Sequence, residues 1–164
     1  IRLMTMGRFF FDTLKKIKRG HDWETFAETY KKTKNYGINV CVHVILGLWE
    51  SHDEMMETAK RLAELDVDGV KIHMLCALEN TELALMYKAG EIDFMSEEEY
   101  VYNVCDFLEY FPSKTTIHRL AGNGLKKELI APRWIGKKLD TLNKIDREFI
   151  KRNSWQGIKY DKLL

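Results

Sequence analysis

The stretch CVHVILGLWESHDEMMETA, Cys41 to Ala59, decides the fold. Cys41 to Leu46 is apolar and β-branched, the composition of a strand covered on both faces, and Gly47 ends it. Ser51 and Glu54 then form an S-x-x-E capping box ahead of Met55, Ala59, Leu62 and Ala63, which recur at helical spacing. A buried strand running at once into a capped helix is a βα unit. His43 is the anomaly, an imidazole in the middle of that strand.

Working outward, apolar runs recur at INVCVHVIL (38–46), GVKIHML (69–75) and TTIHRL (115–120), and a further strand begins the chain at Arg2 to Met6. Helices alternate with them. Asp22 caps a segment whose Phe26, Thr29, Tyr30 and Thr33 share a face, and Gly37 closes it. Thr81 to Lys88 follows Asn80 and ends at Gly90; Ser96 and Glu99 repeat the capping box, and Pro112 stops that helix. The last helix runs from about Lys138 to Arg152 with Leu142, Ile145 and Phe149 inward. Strands alternating with helices predict an α/β fold of parallel strands joined by crossover helices. At 164 residues the chain is one domain, with about 137–164 as a C-terminal helix and tail.

Side chains alternate along a strand, so His43 shares its face with Cys41, Ile45 and Gly47. Lys71 and His73 share a face with Leu75, and Thr116 and His118 with Leu120. Three consecutive strands thus each carry a histidine near the carboxyl end, where parallel α/β sheets and barrels bind ligands. A histidine-based metal-dependent hydrolase is one chemistry such a cluster could serve, but no H-x-H or H-E-x-x-H accompanies it. LAGNGLKKE (120–128) lacks the third glycine of a dinucleotide fingerprint and reads as a tight turn. KKIKRGHD (15–22) reads as a solvated basic face.

Lysine and arginine (26) nearly cancel aspartate and glutamate (25), so net charge does not indicate nucleic acid. No apolar run reaches the roughly 20 residues that span a bilayer, and the first residues lack a signal-peptide pattern, so the expectation is a cytoplasmic protein with no membrane partner. Cys41, Cys76 and Cys105 fit neither a disulfide framework nor a CxxC clip.

His43, Ile45, Gly47 and Glu50 resemble the strand motif G-x-I-x-G-x-x-E of radical S-adenosylmethionine enzymes, with histidine in place of the first glycine. The likeness continues through KKIKRGHDWETFAE (15–28), ETAKRLAELDVDGVKIHML (57–75), EYVYNVCDFLE (99–109), IHRLAGNG (117–124) and RNSWQGIKY (152–160). Together these resemble the uncharacterised bacterial radical SAM proteins with an elongator-like catalytic domain. The resemblance implies a partial (β/α) barrel, of which this chain would be the C-terminal half, cut or trimmed ahead of Ile1. It implies S-adenosylmethionine and a four-iron four-sulfur cluster as cofactors of the intact enzyme, and hydrogen abstraction from an unknown substrate. It places His43, Ile45 and Gly47 around the cofactor, and Lys71, His73, His118, Arg119 and Glu50 among the polar groups of the cavity.

The sequence departs from that family in five places, the first being MTMGRFFFDTL (4–14), which aligns poorly with the family's Q-T-x-x-x-x-T-L strand end. The cluster motif C-x-x-x-C-x-x-C is absent, so this chain is expected to hold no cluster by itself. GLWES (47–51) is one residue short of the family's G-L-P-G-E turn, with Trp49 replacing its Pro-Gly corner. CALENTEL (76–83) stands where a K-G-T-P-L pattern is usual, and GNGL (122–125) replaces G-D-G-P. A non-catalytic, degenerate or truncated barrel serving as a binding module is the alternative reading. A half barrel would expose an unpaired strand edge, for which a second copy of the chain is the expected partner.

Overall fold

The computed structural model describes residues 2–4, 20, 22–122 and 127–160. Its strands are β1 (Arg2–Met4), β2 (Cys41–Leu46), β3 (Gly69–Met74), β4 (Ala77–Leu78), β5 (Thr116–Arg119) and β6 (Leu129–Ala131). Its helices are α1 (Trp23–Asn35), α2 (His52–Glu64), α3 (Glu82–Lys88), α4 (Glu97–Leu108) and α5 (Lys138–Arg152), with a 3₁₀ turn at Arg133–Gly136. Strands β1, β2, β3 and β5 form one parallel sheet in that order, the α/β architecture expected. The expected first strand is described only over Arg2–Met4, KKIKRGHD falls largely outside the described residues, and so does the middle of LAGNGLKKE, 123–126.

The face that β2 and β3 turn to the helices is wholly apolar. Val42, Val44 and Leu46 on β2 and Val70 and Ile72 on β3 are at most 1% exposed, and they pack in one core with α1, α2, α4 and α5. Each such side chain contributes roughly 1.5–3 kcal/mol relative to exposure. Both capping boxes form. Ser51 N–H donates to Glu54 at 2.7 Å and Ser96 N–H to Glu99 at 2.8 Å, while each serine hydroxyl accepts the glutamate's backbone N–H. Asp22 caps α1 by accepting from Thr25 N–H at 2.9 Å.

Two helix ends differ from the sequence reading. Thr81, not Asn80, caps α3, because Asn80 turns through φ +62° and the Thr81 hydroxyl accepts from Ala84 N–H. Helix α4 ends at Leu108, ahead of Pro112, and the segment after α5 closes it. Gly157 N–H donates to the Leu108 carbonyl and Lys159 N–H to that of Glu109, at 3.2 and 2.8 Å. The Gln156 amide donates to the carbonyls of Pro112 and Thr115, at 2.8 and 2.9 Å. The two backbone bonds engage carbonyls at the helix end, where i→i+4 partners run out, and the two amide bonds hold the turn that follows. A Cβ on Gly157 would lie 2.8 Å from the Phe111 carbonyl, at φ +89°, so only glycine permits this approach.

At the amino ends of the strands, Asp68 ties three elements together. Its carboxylate accepts from Val40 N–H at 2.8 Å ahead of β2 and from Lys34 and Tyr30 of α1. At the other end, β4 and β6 form an antiparallel clip, Ala77 opposite Ala131 and Leu78 opposite Leu129. Beside it, the Trp134 indole donates to the Met95 carbonyl at 3.0 Å. The sequence did not announce the clip, since strands this short have no readable period. Among the described residues no helix is long and apolar enough to cross a membrane.

Candidate functional site

With Val42, Val44, Val70 and Ile72 turned to the helices, Cys41, His43 and Ile45 of β2 and Gly69, Lys71 and His73 of β3 occupy the opposite, open face. Parallel pairing sets His43 beside Lys71 and Ile45 beside His73. The rings of His43 and His73 stack diagonally, their centroids 5.8 Å apart and their planes 27° from parallel. His43 is buried, at 8% exposure, and His73 is half-buried.

Strict alternation fails on β5. Gly69 pairs with Thr116 and Val70 with Ile117, but Lys71 pairs with Arg119, so the register shifts at His118. A bulge of this kind re-aims the side chains around it. The His118 ring lies over Gly69, where a Cβ would meet its Nε2 at 2.7 Å. Arg119 joins the open-face row beside Lys71. Leu120, expected to share a face with His118, packs against the core.

Burial lowers the pKa of His73 to about 4, helped by the positive fields of Lys71 and Arg119 and by His43. At neutral pH this ring is an uncharged donor and acceptor. A Cβ added at Gly122, in the loop after β5, would lie in ordinary contact with its Nδ1, at 3.5 Å.

A cavity of about 770 Å³ opens on this face. Cys41, His43, Lys71, Thr116 and His118 line it from the strands, and Asn39, Asp66, Asp68 and Lys114 from the loops that precede them. The expectation of one cavity at the carboxyl ends is therefore corrected. This space reaches the amino ends, because the bulge sets His118 beside Gly69, the first residue of β3, and His73 stands beyond it. Asp66 and Asp68 each meet a lysine, Lys114 at 2.8 Å and Lys34 respectively. The sequence reading placed Cys41 and Thr116 on these faces by strand phase without counting them in the site, and it left out Asp66, Asp68 and Lys114, for which only the acidic turn DVD gave a signal.

Gly47, at φ +93°, and Glu50 lie in the loop between β2 and α2, past the carboxyl end of β2. Trp49 between them adopts φ +61°, the conformation that a glycine at this corner would take freely. A Cβ on Gly47 would touch Met95 at 3.4 Å, so this corner abuts the segment ahead of α4 rather than the stacked histidines.

A cluster of four irons requires three converging thiolates. The cysteines of this chain do not fit it. Cys41 is on β2, Cys76 follows β3, and Cys105 is buried on α4 with its thiol directed at the Ile145 carbonyl. Burial raises the pKa of Cys76 and pushes that of Cys105 up to about 12, against thiolate formation. Among the described residues no group of three histidine, cysteine, aspartate or glutamate side chains is placed to hold a metal ion.

The model of the radical SAM C-terminal domain matches residues 67–151, just over half of the chain and the part that contains β3, the bulged β5 and helices α3 to α5. The chain belongs to the radical SAM C-terminal domain family. The uncharacterised protein YtqA of Bacillus subtilis is 41% identical over 148 residues, 90% of this chain and 46% of its own length. A biotin synthase of Pelobacter propionicus is 32% identical over 109 residues, 66% of this chain and 30% of its own. The chain thus spans about half the length of YtqA and less of the synthase. The fold also resembles Elp3 of the archaeon Methanocaldococcus infernus, at TM-score 0.78 and 20% identity, over 99% of this chain and 41% of that one.

Proposed function

We propose that this chain forms one wall of a partial (β/α) barrel in a radical S-adenosylmethionine enzyme that cleaves its cofactor reductively and abstracts hydrogen from a substrate. The observation that carries the reading is the open sheet face. Where β2 and β3 turn only apolar side chains to the helices, the opposite face presents His43, Lys71, His73, His118 and Arg119 in adjacent rows. Membership of the radical SAM C-terminal domain family supports it.

In this reading His43 and Ile45 flank the bound S-adenosylmethionine, with Gly47 and Glu50 at the loop end of the same strand. Lys71, His73, His118 and Arg119 face the substrate side. The contribution of these side chains is to hold and orient the reactants and to keep water away from the reacting centre. The cluster that such chemistry uses is bound by thiolates outside this chain, because Cys41, Cys76 and Cys105 cannot converge.

The test is S-adenosylmethionine binding and 5′-deoxyadenosine formation by the full-length protein that carries this chain, reconstituted anaerobically with iron and sulfide. Reductant-dependent 5′-deoxyadenosine that falls at least about tenfold in His43→Ala is expected. A reconstituted protein that binds S-adenosylmethionine no better than buffer controls overturns the proposal.

A further inference from the structure

Tyr100 carries a hydroxyl at a place where a phenylalanine ring would fill the same space. The side chain is wholly buried on α4, and burial holds its pKa above the usual tyrosine range, so the hydroxyl keeps its proton and is a permanent donor. A buried hydroxyl costs stability unless it is bonded. This one donates at 2.7 Å to the carbonyl of Leu120, the first residue past β5.

What that bond holds is the segment crossing the carboxyl end of β3. Ala121 is fully buried, and a Cβ at Gly122 would lie 3.5 Å from His73 Nδ1 and 3.8 Å from the Met74 sulfur. Arg119, immediately before Leu120, stands beside Lys71. The covering segment and the guanidinium thus belong to the one stretch of chain that Tyr100 grips. Both act on His73, the first by burying it and the second by its charge.

The grip is itself backed. The Tyr100 ring packs on Trp134, with centroids 5.2 Å apart and planes 39° from parallel, and the Trp134 indole donates to the Met95 carbonyl at 3.0 Å. Met95 abuts the Gly47 corner, 3.4 Å from where a Cβ would stand. The space left among Leu46, Met74, Tyr100 and Trp134 is about 10 Å³, room for at most one water. The carboxyl ends of β2 and β5, on either side of His73, therefore rest on the same aromatic pair.

We propose that Tyr100 is a positioning residue: its hydroxyl, acting through the Leu120 carbonyl, keeps Gly122 over His73 and sets the reach of Arg119 on the open face. The proposal rests on the proposed function only for the reaction that the held groups serve. Without the hydroxyl the ring still packs on Trp134, but the Leu120 carbonyl loses its donor and the segment is released from α4.

Tyr100→Phe in the full-length protein that carries this chain removes the hydroxyl alone. The readout is the NMR titration midpoint of His73, which Lys71 on its own strand, Arg119 on β5 and His43 on β2 all face. Release of the segment uncovers the ring and lets Arg119 retreat. Each change favours the protonated imidazole, so the midpoint should rise by at least about half a pH unit. Ser96→Ala weakens the same helix without touching the tie and should leave the midpoint where it is. In protein that forms 5′-deoxyadenosine, Tyr100→Phe should bind S-adenosylmethionine within about twofold of the wild type and turn it over at least about threefold more slowly. An unmoved midpoint in the folded variant, an equal rise in Ser96→Ala, or a wild-type rate overturns the proposal. A raised midpoint in a protein that forms no 5′-deoxyadenosine upholds the tie and counts against the enzymatic reading alone.

Discussion

The His118 ring occupies the space that a side chain on Gly69 would need, with Nε2 2.7 Å and the Thr116 carbonyl 3.1 Å from the position of the missing Cβ. The first residue of one strand thereby holds open the bulge in its neighbour. Gly69→Ala is expected to cost about 1–3 kcal/mol of stability, the range for inserting a methyl group into a packed site. His118→Ala should relieve part of that cost in the double variant, and a double-mutant cycle by urea denaturation measures the coupling. Strictly additive effects would show that the ring and the glycine do not share the space.

The lowered pKa of His73 makes stability depend on pH in a definite direction. An unfolded histidine takes up its proton near pH 6.5, whereas this one waits until about pH 4. Between those values the unfolded state binds more protons, so the wild type loses stability as the pH falls through that window. His73→Gln removes this contribution, and its stability from pH 7 to pH 4 should decline less steeply than that of the wild type. Parallel curves in chemical denaturation would contradict the assignment.

Gly157→Ala adds a methyl group against the Phe111 carbonyl at a positive φ, and a loss of about 1–2 kcal/mol is expected. Hydrogen exchange at the end of α4 should accelerate with it. Gln156→Ala should open the same region by withdrawing the amide from the Pro112 and Thr115 carbonyls. A variant with wild-type protection at Glu109 to Phe111 would show that the tail does not close the helix.

Ser96→Ala removes one half of the capping box on α4, and about 1 kcal/mol of stability should go with it. Glu97 nearby is held by Thr141 at 2.7 Å and by Lys144 of α5, so the substitution should leave the α4–α5 contact in place. Thermal melts of Ser96→Ala and Thr141→Val separate the two effects.

Much of this architecture was readable because its rules are local. Ser51 with Glu54, Ser96 with Glu99 and Asp22 announce helix starts through side chains that meet backbone groups three residues away. The parallel order followed from strands separated by helices. The site was readable only as far as alternation holds, so His43, Lys71 and His73 were placed on one face from their spacing. Arg119 beside Lys71 could not be, because a bulge breaks the period of two and depends on contacts between strands distant in sequence. The clip of β4 and β6 escaped for the same reason, joining Ala77 to Ala131 across an interval that no sequence period bridges.

The closure of α4 by residues 156–159 also bears on how the chain is made. Helix α4 leaves the ribosome long before the N–H groups of Gly157 and Lys159 that bond its final carbonyls. During that interval the Glu109 carbonyl lacks the N–H that it bonds in the fold, and β5, which Gln156 steadies through the Thr115 carbonyl just ahead of it, lacks that hold. The hold on the segment that leads into β5 is thus completed only after Gln156 has been made and has left the ribosome.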